Sequence, residues 1–334
     1  MSGFEFETSH TVLLTGAGFT HNFGGFLAKT MWSEIHNRLH KLDKGSDRNQ
    51  IIDRLKVNFD YEILYQEVLD SNKFRPQEKD DFIKAILGAY DSLDGIIRDY
   101  NKRYIMTSAI KPFVISKFLY RFAPDRIKKG FLFTLNQDLF IERYIRDIRI
   151  TYPGVKVNYA RFNRGGSKLL EQDDYAALPT QEEIEVHKNN MKSLGQFYYI
   201  KLHGSYDWRD KDNKNKLIIG TNKPYDIQNE PILNWYYELF KTVLSLPNRR
   251  LLIIGYGFRD PHINEVIVES IKKANIKVYI ITPQDPEYFR KHTLERGICD
   301  MIWNHTAGFY PYTMQDMFSN ESINRTLIDE FFND

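Results

Sequence analysis

Four short stretches carry residue types at spacings that could do chemistry. In V-L-L-T-G-A-G-F-T, residues 12–20, Gly16 and Gly18 directly follow an apolar run. A strand, a small-residue turn and a helix start make an anion seat, because glycine admits a pyrophosphate and the helix supplies free N–H groups. A tight turn with no ligand accounts for the same residues equally well. In F-T-L-N-Q-D, residues 133–138, Asn136 and Asp138 stand at the end of a strand, where ligands of open α/β sheets sit. They could equally cap the helix that follows. I-K-L-H-G-S, residues 200–205, brings His203 to another strand end. A histidine there can be a general base near neutral pH, or simply a packed side chain. L-L-I-I-G-Y-G-F-R-D-P-H-I, residues 251–263, holds Gly255 and Gly257 in a second glycine turn.

The first turn is not the dehydrogenase fingerprint. G-x-G-x-x-G needs a third glycine where His21 stands, and Glu34 lies in a helical pattern rather than at a strand end. Hydride transfer is therefore disfavoured. His36 and His40 have i, i+4 spacing, but H-N-R-L-H lacks the glutamate of H-E-x-x-H and reads as a helix surface. Asp60 and Glu62 also read as helix-surface acids, R-F-N-R-G-G at 161–166 as a solvated loop, and Cys299 as a core thiol. No metal site is expected.

Buried strands must position these residues. Continuous apolar runs at Thr11–Thr15, Phe131–Leu135, Phe197–Leu202, Leu217–Ile219, Leu251–Ile254 and Lys277–Ile281 suit strands covered on both faces, as in a parallel sheet. Pro231 and Asp260-Pro261 open helices, with Asp260 a suitable N-cap. Residues 51–121 show helical periodicity and no convincing strand, which predicts a helical module inserted between the first two strands of the sheet. The stretch 171–193 is polar and reads as an exposed connection or helix. The chain has 334 residues, enough for about two domains or one large α/β domain with an insertion. One cysteine excludes a disulfide framework and a zinc ribbon. Lysine and arginine (46) nearly balance aspartate and glutamate (44), which gives no general reason for nucleic-acid binding. Neither a leader nor a run of eighteen apolar residues is visible, so the expectation is a cytoplasmic protein with no membrane contact.

Taken in order, T-G-A-G-F-T, T-L-N-Q-D, L-H-G-S and I-G-Y-G-F-R-D-P-H-I resemble a sirtuin-type NAD-binding domain, and more narrowly the bacterial sirtuin-like proteins of antiphage defence. The resemblance covers about residues 10–35 and 125–285. It implies a Rossmann-like, doubly wound, mostly parallel sheet formed by 1–35 and 125–300. The inserted module would span 36–124, and 300–334 would be a docking or oligomer-contact segment. It also implies that Gly16, Ala17, Gly18, Phe19 and Thr20 hold the NAD pyrophosphate. Asn136 would lie beside the nicotinamide ribose, Asp138 would hold the pocket, and His203 would be the general base. Gly255, Tyr256, Gly257 and Thr282 would approach the adenosine.

Three departures from sirtuin deacylases shape the functional expectation. A single cysteine cannot build their four-cysteine zinc module. His203 stands 67 positions after Asn136, a far longer spacing than in deacylases. H-N-F-G-G-F-L-A-K-T-M-W replaces the G-I-P-D-F-R-type stretch after the first turn. These departures agree with the defence-type branch, whose members resemble NAD hydrolases. The expected activity is metal-independent hydrolysis of NAD to nicotinamide and ADP-ribose, gated as an abortive-infection effector. Alternatives are an NAD-derived nucleotide sensor without turnover, or a protein ADP-ribosyltransferase or deacylase. The resemblance further implies a homo-oligomer and a partner such as a HerA-type ATPase.

Overall fold

A computed structural model describes residues 6–42, 49–100, 110–123, 127–145, 150–156, 169–170, 174–193, 195–294, 298–319 and 321–332. The loop at 161–166 lies outside them, as does the side chain of Cys299.

The strands are β1 (Thr8–Thr15), β2 (Lys129–Thr134), β3 (Ile150–Thr151), β4 (Ala176–Ala177) and β5 (Phe197–Lys201). They continue with β6 (Gly204–Arg209), β7 (Asn215–Leu217), β8 (Arg250–Ile254), β9 (Lys277–Ile281) and β10 (Thr306–Tyr310). Seven of them form one sheet in the order β10-β9-β8-β1-β2-β5-β3, and every pairing in it is parallel. The fold is thus an α/β, Rossmann-like one. Its apolar runs have a direct physical cause. Val12, Leu13 and Leu14 are consecutive and wholly buried, so both faces of β1 are covered and alternation would serve nothing.

Strand order locates the ligand crevice. From β1 the chain builds outward through β2 to β5 on one side, then returns to lay β8, β9 and β10 on the other. The carboxyl ends of β1 and β8 therefore flank the topological switch point, where loops diverge and leave room for a ligand.

Between β1 and β2 the described residues form helices at Ala28–Leu42, Gln50–Val57, Tyr61–Asp70, Pro76–Arg98 and Pro112–Leu119. Pro76 opens the longest, where its missing N–H costs nothing, and Glu78 reaches back to the Arg75 amide at 2.9 Å. Asp60 caps the helix at Tyr61–Asp70, accepting from the amides of Glu62 and Ile63.

Some strands carry no continuous apolar run. β10 carries a mixed pattern at the sheet edge, and the helix Glu321–Phe332 behind it packs Phe331 against Tyr279 and Phe122. Both β10 and Phe331 of this helix therefore pack on the sheet of their own chain. β6 is polar in sequence yet buried throughout, and it belongs with β4 and β7 to a second, three-stranded sheet. The Leu217–Ile219 run contributes only Leu217, at the end of β7, which pairs antiparallel with β6.

Candidate active site

The two glycine turns lie directly on one another. The Gly16 amide donates to the Ile254 carbonyl at 3.0 Å, and the Gly18 amide to the Gly255 carbonyl at 2.9 Å. A Cβ on Gly16 would stand 2.8 Å from Tyr256 Cα, and one on Gly18 2.7 Å from Gly255 Cα. Gly255 has φ +65°, and a Cβ there would stand 2.3 Å from the Phe19 amide nitrogen. These three glycines are thus required by backbone packing alone. Gly257 differs. It is exposed, and the nearest atom to a Cβ there would be Arg259 Cγ at 4.0 Å.

Asn136 follows β2 and is buried. Its amide nitrogen donates to the Gly16 carbonyl at 3.0 Å and to Thr20 Oγ1 at 3.3 Å. Asn136 therefore pins the first turn and caps no helix. Its side-chain oxygen takes no hydrogen bond from the described residues, so it can accept from a ligand. Asp138 lies one residue before the N-cap, Leu139, of the helix Phe140–Tyr144 and accepts from the Phe140 amide at 3.0 Å. Burial raises its carboxyl, against the pull of Lys201 and the Phe140 amide.

His203 follows β5, the neighbour of β2. Gln137 joins the two strand ends, donating to the His203 carbonyl at 2.8 Å and the Ile218 carbonyl at 2.9 Å. It also accepts from the Tyr90 hydroxyl of the inserted module. The His203 ring is 4% exposed, and its Nε2 lies 3.1 Å from Nε2 of His262. One ring must supply a hydrogen and the other a lone pair. Burial drives His203 down to about 3 and His262 to about 4, with Asp260 opposing, so both are neutral at pH 7.

Asp260 occupies the N-cap position of the helix Pro261–Ala274, but its carboxylate does not cap it. It bonds Lys223 at 2.8 Å, and Lys223 also bonds Glu62 of the module at 2.7 Å. The capping role expected of Asp260 is corrected: charge pairing outweighs it. Glu62 likewise is no mere helix-surface acid. Burial pushes the Asp260 carboxyl up, but His203, Lys223 and His262 outweigh it and hold it below its ordinary value.

Beneath His203 lies a buried ionic cluster. Lys201 bonds Glu142 and the hydroxyl of Ser205, both within 2.8 Å, and Ser205 donates to Asp207. Ser205 is wholly buried, so its closeness to Lys201 makes no reactive dyad. Burial pushes Glu142 up to about 7 although Lys201 pulls the other way.

A family model described as a SIR2-like domain matches residues 130–302. The chain belongs to the SIR2-like family. No curated protein matches the chain. Members of the SIR2-like family are NAD-dependent enzymes and use NAD as substrate. The SIR2-like match takes in Asn136, Asp138, His203, Gly255, Tyr256, Gly257 and Thr282, and it begins after Gly16–Thr20. Contact places those earlier residues in the same site: Gly16, Gly18 and Thr20 bond directly to matched ones. Ala17 is exposed beside them, and Phe19 is buried against Phe140. Two others face inward. The Tyr256 hydroxyl bonds Asn264 and the Asp260 backbone within its own loop. The Thr282 hydroxyl accepts from the Gln284 amide at 3.4 Å.

Sequence reasoning passed over His262, Lys223 and Gln137. His262 lay inside a motif singled out for its glycines; nothing local linked Lys223 or Gln137 to the site.

No helix among the described residues is long and apolar enough to cross a membrane.

Proposed function

We propose that this SIR2-like chain hydrolyses NAD at the nicotinamide–ribose bond, releasing nicotinamide and ADP-ribose, as a gated effector of antiphage defence. The observation that carries the reading is that Asn136 and His203 stand at adjacent strand ends, Asn136 bonded to Gly16 of the first glycine turn and His203 to His262 just after the second. The leaving nicotinamide departs neutral, so no strong acid is needed, and the ribose carbon gains oxocarbenium character. Water adds to that carbon and loses a proton. The free Asn136 carbonyl oxygen orients the water or a ribose hydroxyl, and the neutral His203 ring accepts the proton. None of these tasks needs a metal. Uncontrolled NAD loss would harm the host, so turnover is gated by a homo-oligomer or a partner such as a HerA-type ATPase. Exposed Val57, Phe59 and Ile63 on the inserted module offer apolar contact area for it.

The test is incubation with NAD, with and without candidate partners, followed by chromatography of the products. Asn136→Ala and His203→Ala should each lower release of nicotinamide by roughly 100-fold or more. Undiminished release in both variants would remove the assignment. A second reading, a sensor that binds NAD without turnover, is favoured by the engagement of His203 with His262. Calorimetric binding with the nucleotide recovered intact would select it.

A further inference from the structure

We infer that His203, His262 and Asp260 form a binding site for one divalent cation of the zinc class. Each residue offers one ligand atom, and these atoms all lie within 4.8 Å of one another. Zinc–nitrogen bonds of about 2.0–2.1 Å put two imidazole nitrogens on one tetrahedral ion about 3.3 Å apart. The two Nε2 atoms are 3.1 Å apart. A cation between them needs only small adjustment, and the hydrogen they share moves to Nδ1 of its own ring. No proton is lost.

The three ligands are held by two separate parts of the fold. His203 sits on the loop after β5, while Asp260 and His262 flank the proline that opens a 14-residue helix. The Asp260 carboxylate is turned away from its own helix start. Lys223 is the competing cation on that carboxylate. Because it also pairs with Glu62, it can release Asp260 without losing every partner. Three protein ligands leave one position of a tetrahedral ion for water. His262 also borders a cavity of about 210 Å³ lined by Pro224, Ile227, Asn234 and Tyr237.

A cation here takes the His203 lone pair that NAD hydrolysis needs, so it inhibits. That consequence rests on the proposed function; the binding does not. The experiment titrates the metal-stripped, tag-free full chain with Co²⁺, reading its visible absorption, then displaces it with Zn²⁺. One equivalent should bind. His262→Gln, which keeps a hydrogen-bonding side chain and whose folding is checked by circular dichroism, should weaken binding roughly tenfold or more. His36→Ala, which breaks the exposed i, i+4 histidine pair, should leave it unchanged. No one-to-one binding by the folded parent, or equal affinity in His262→Gln, overturns the site. Nicotinamide release measured in parallel separates the two ideas. A parent that binds Co²⁺ but never cleaves NAD, with the candidate partners present as well as without them, defeats the hydrolase reading alone. Cleavage accelerated by Zn²⁺ overturns the inhibitory role.

Discussion

The glycine-turn end and the imidazole end of the crevice are built by opposite means. At the turns, Gly16, Gly18 and Gly255 let two backbones touch, and the contacts are amide to carbonyl. At the imidazole end, His203, His262, Asp260, Lys223 and Glu62 meet through side chains drawn from four separate segments. A backbone joint tolerates no added atom, whereas a charge cluster tolerates change only in matched pairs. The first should therefore break under the smallest steric addition, and the second under loss of a single charge.

The largest effect is expected at the joint. Gly255→Ala adds one carbon where φ is +65° and the Phe19 nitrogen would stand 2.3 Å away. Backbone strain and overpacking together should cost roughly 3 kcal/mol or more. The measurement is chemical denaturation of the parent and the variant. A loss below about 0.5 kcal/mol would mean that the two turns are not locked together.

At the other end, Lys223→Met leaves Asp260 and Glu62 facing each other without the ammonium between them. The expected cost is roughly 2 kcal/mol or more, because a largely buried carboxylate loses its partner. Adding Asp260→Asn should recover part of the loss, so the double variant is more stable than the sum of the two single effects predicts. Strict additivity in the same denaturation series would show that Lys223 and Asp260 do not act as a pair.

This contrast also explains what could be read from the chain alone. β1, β2, β5, β8 and β9 announce themselves because strands buried on both faces are continuously apolar, and glycines after β1 and β8 mark close approach. The glycines of the joint were therefore legible one by one, as a pyrophosphate seat or a tight turn, but not the contact of the two turns with each other. Less of the imidazole end was. His203 was visible as a histidine ending a buried strand, but His262 is 59 residues away and its role depends on how two loops meet. Asp260 read as an N-cap because N-capping is local, while the Lys223 pairing that overrides it is not. β6 stayed hidden for a related reason. Its Ser205, Asp207 and Arg209 are buried polar side chains that bond one another and the backbone of their own strand, and only the fold buries them, so the strand carries no apolar signature.

The smallest structural effect is expected at Gly257, and it sharpens the comparison most. This glycine belongs to the same turn as Gly255, yet nothing lies closer than 4.0 Å to where its Cβ would be, and its φ is not in the left-handed region. Alanine there should change stability by less than about 0.5 kcal/mol. If Gly257 is kept small for the protein's own packing, Gly257→Ala must destabilise as its neighbour does. If it is kept small for a dinucleotide, bulk at this position should weaken NAD binding in proportion to size while leaving the denaturation midpoint alone. A series Gly257→Ala, Gly257→Val and Gly257→Phe, measured by calorimetry with NAD and by denaturation without it, separates the two causes. Parallel loss of both quantities would place Gly257 in the backbone joint and take it out of the ligand's path.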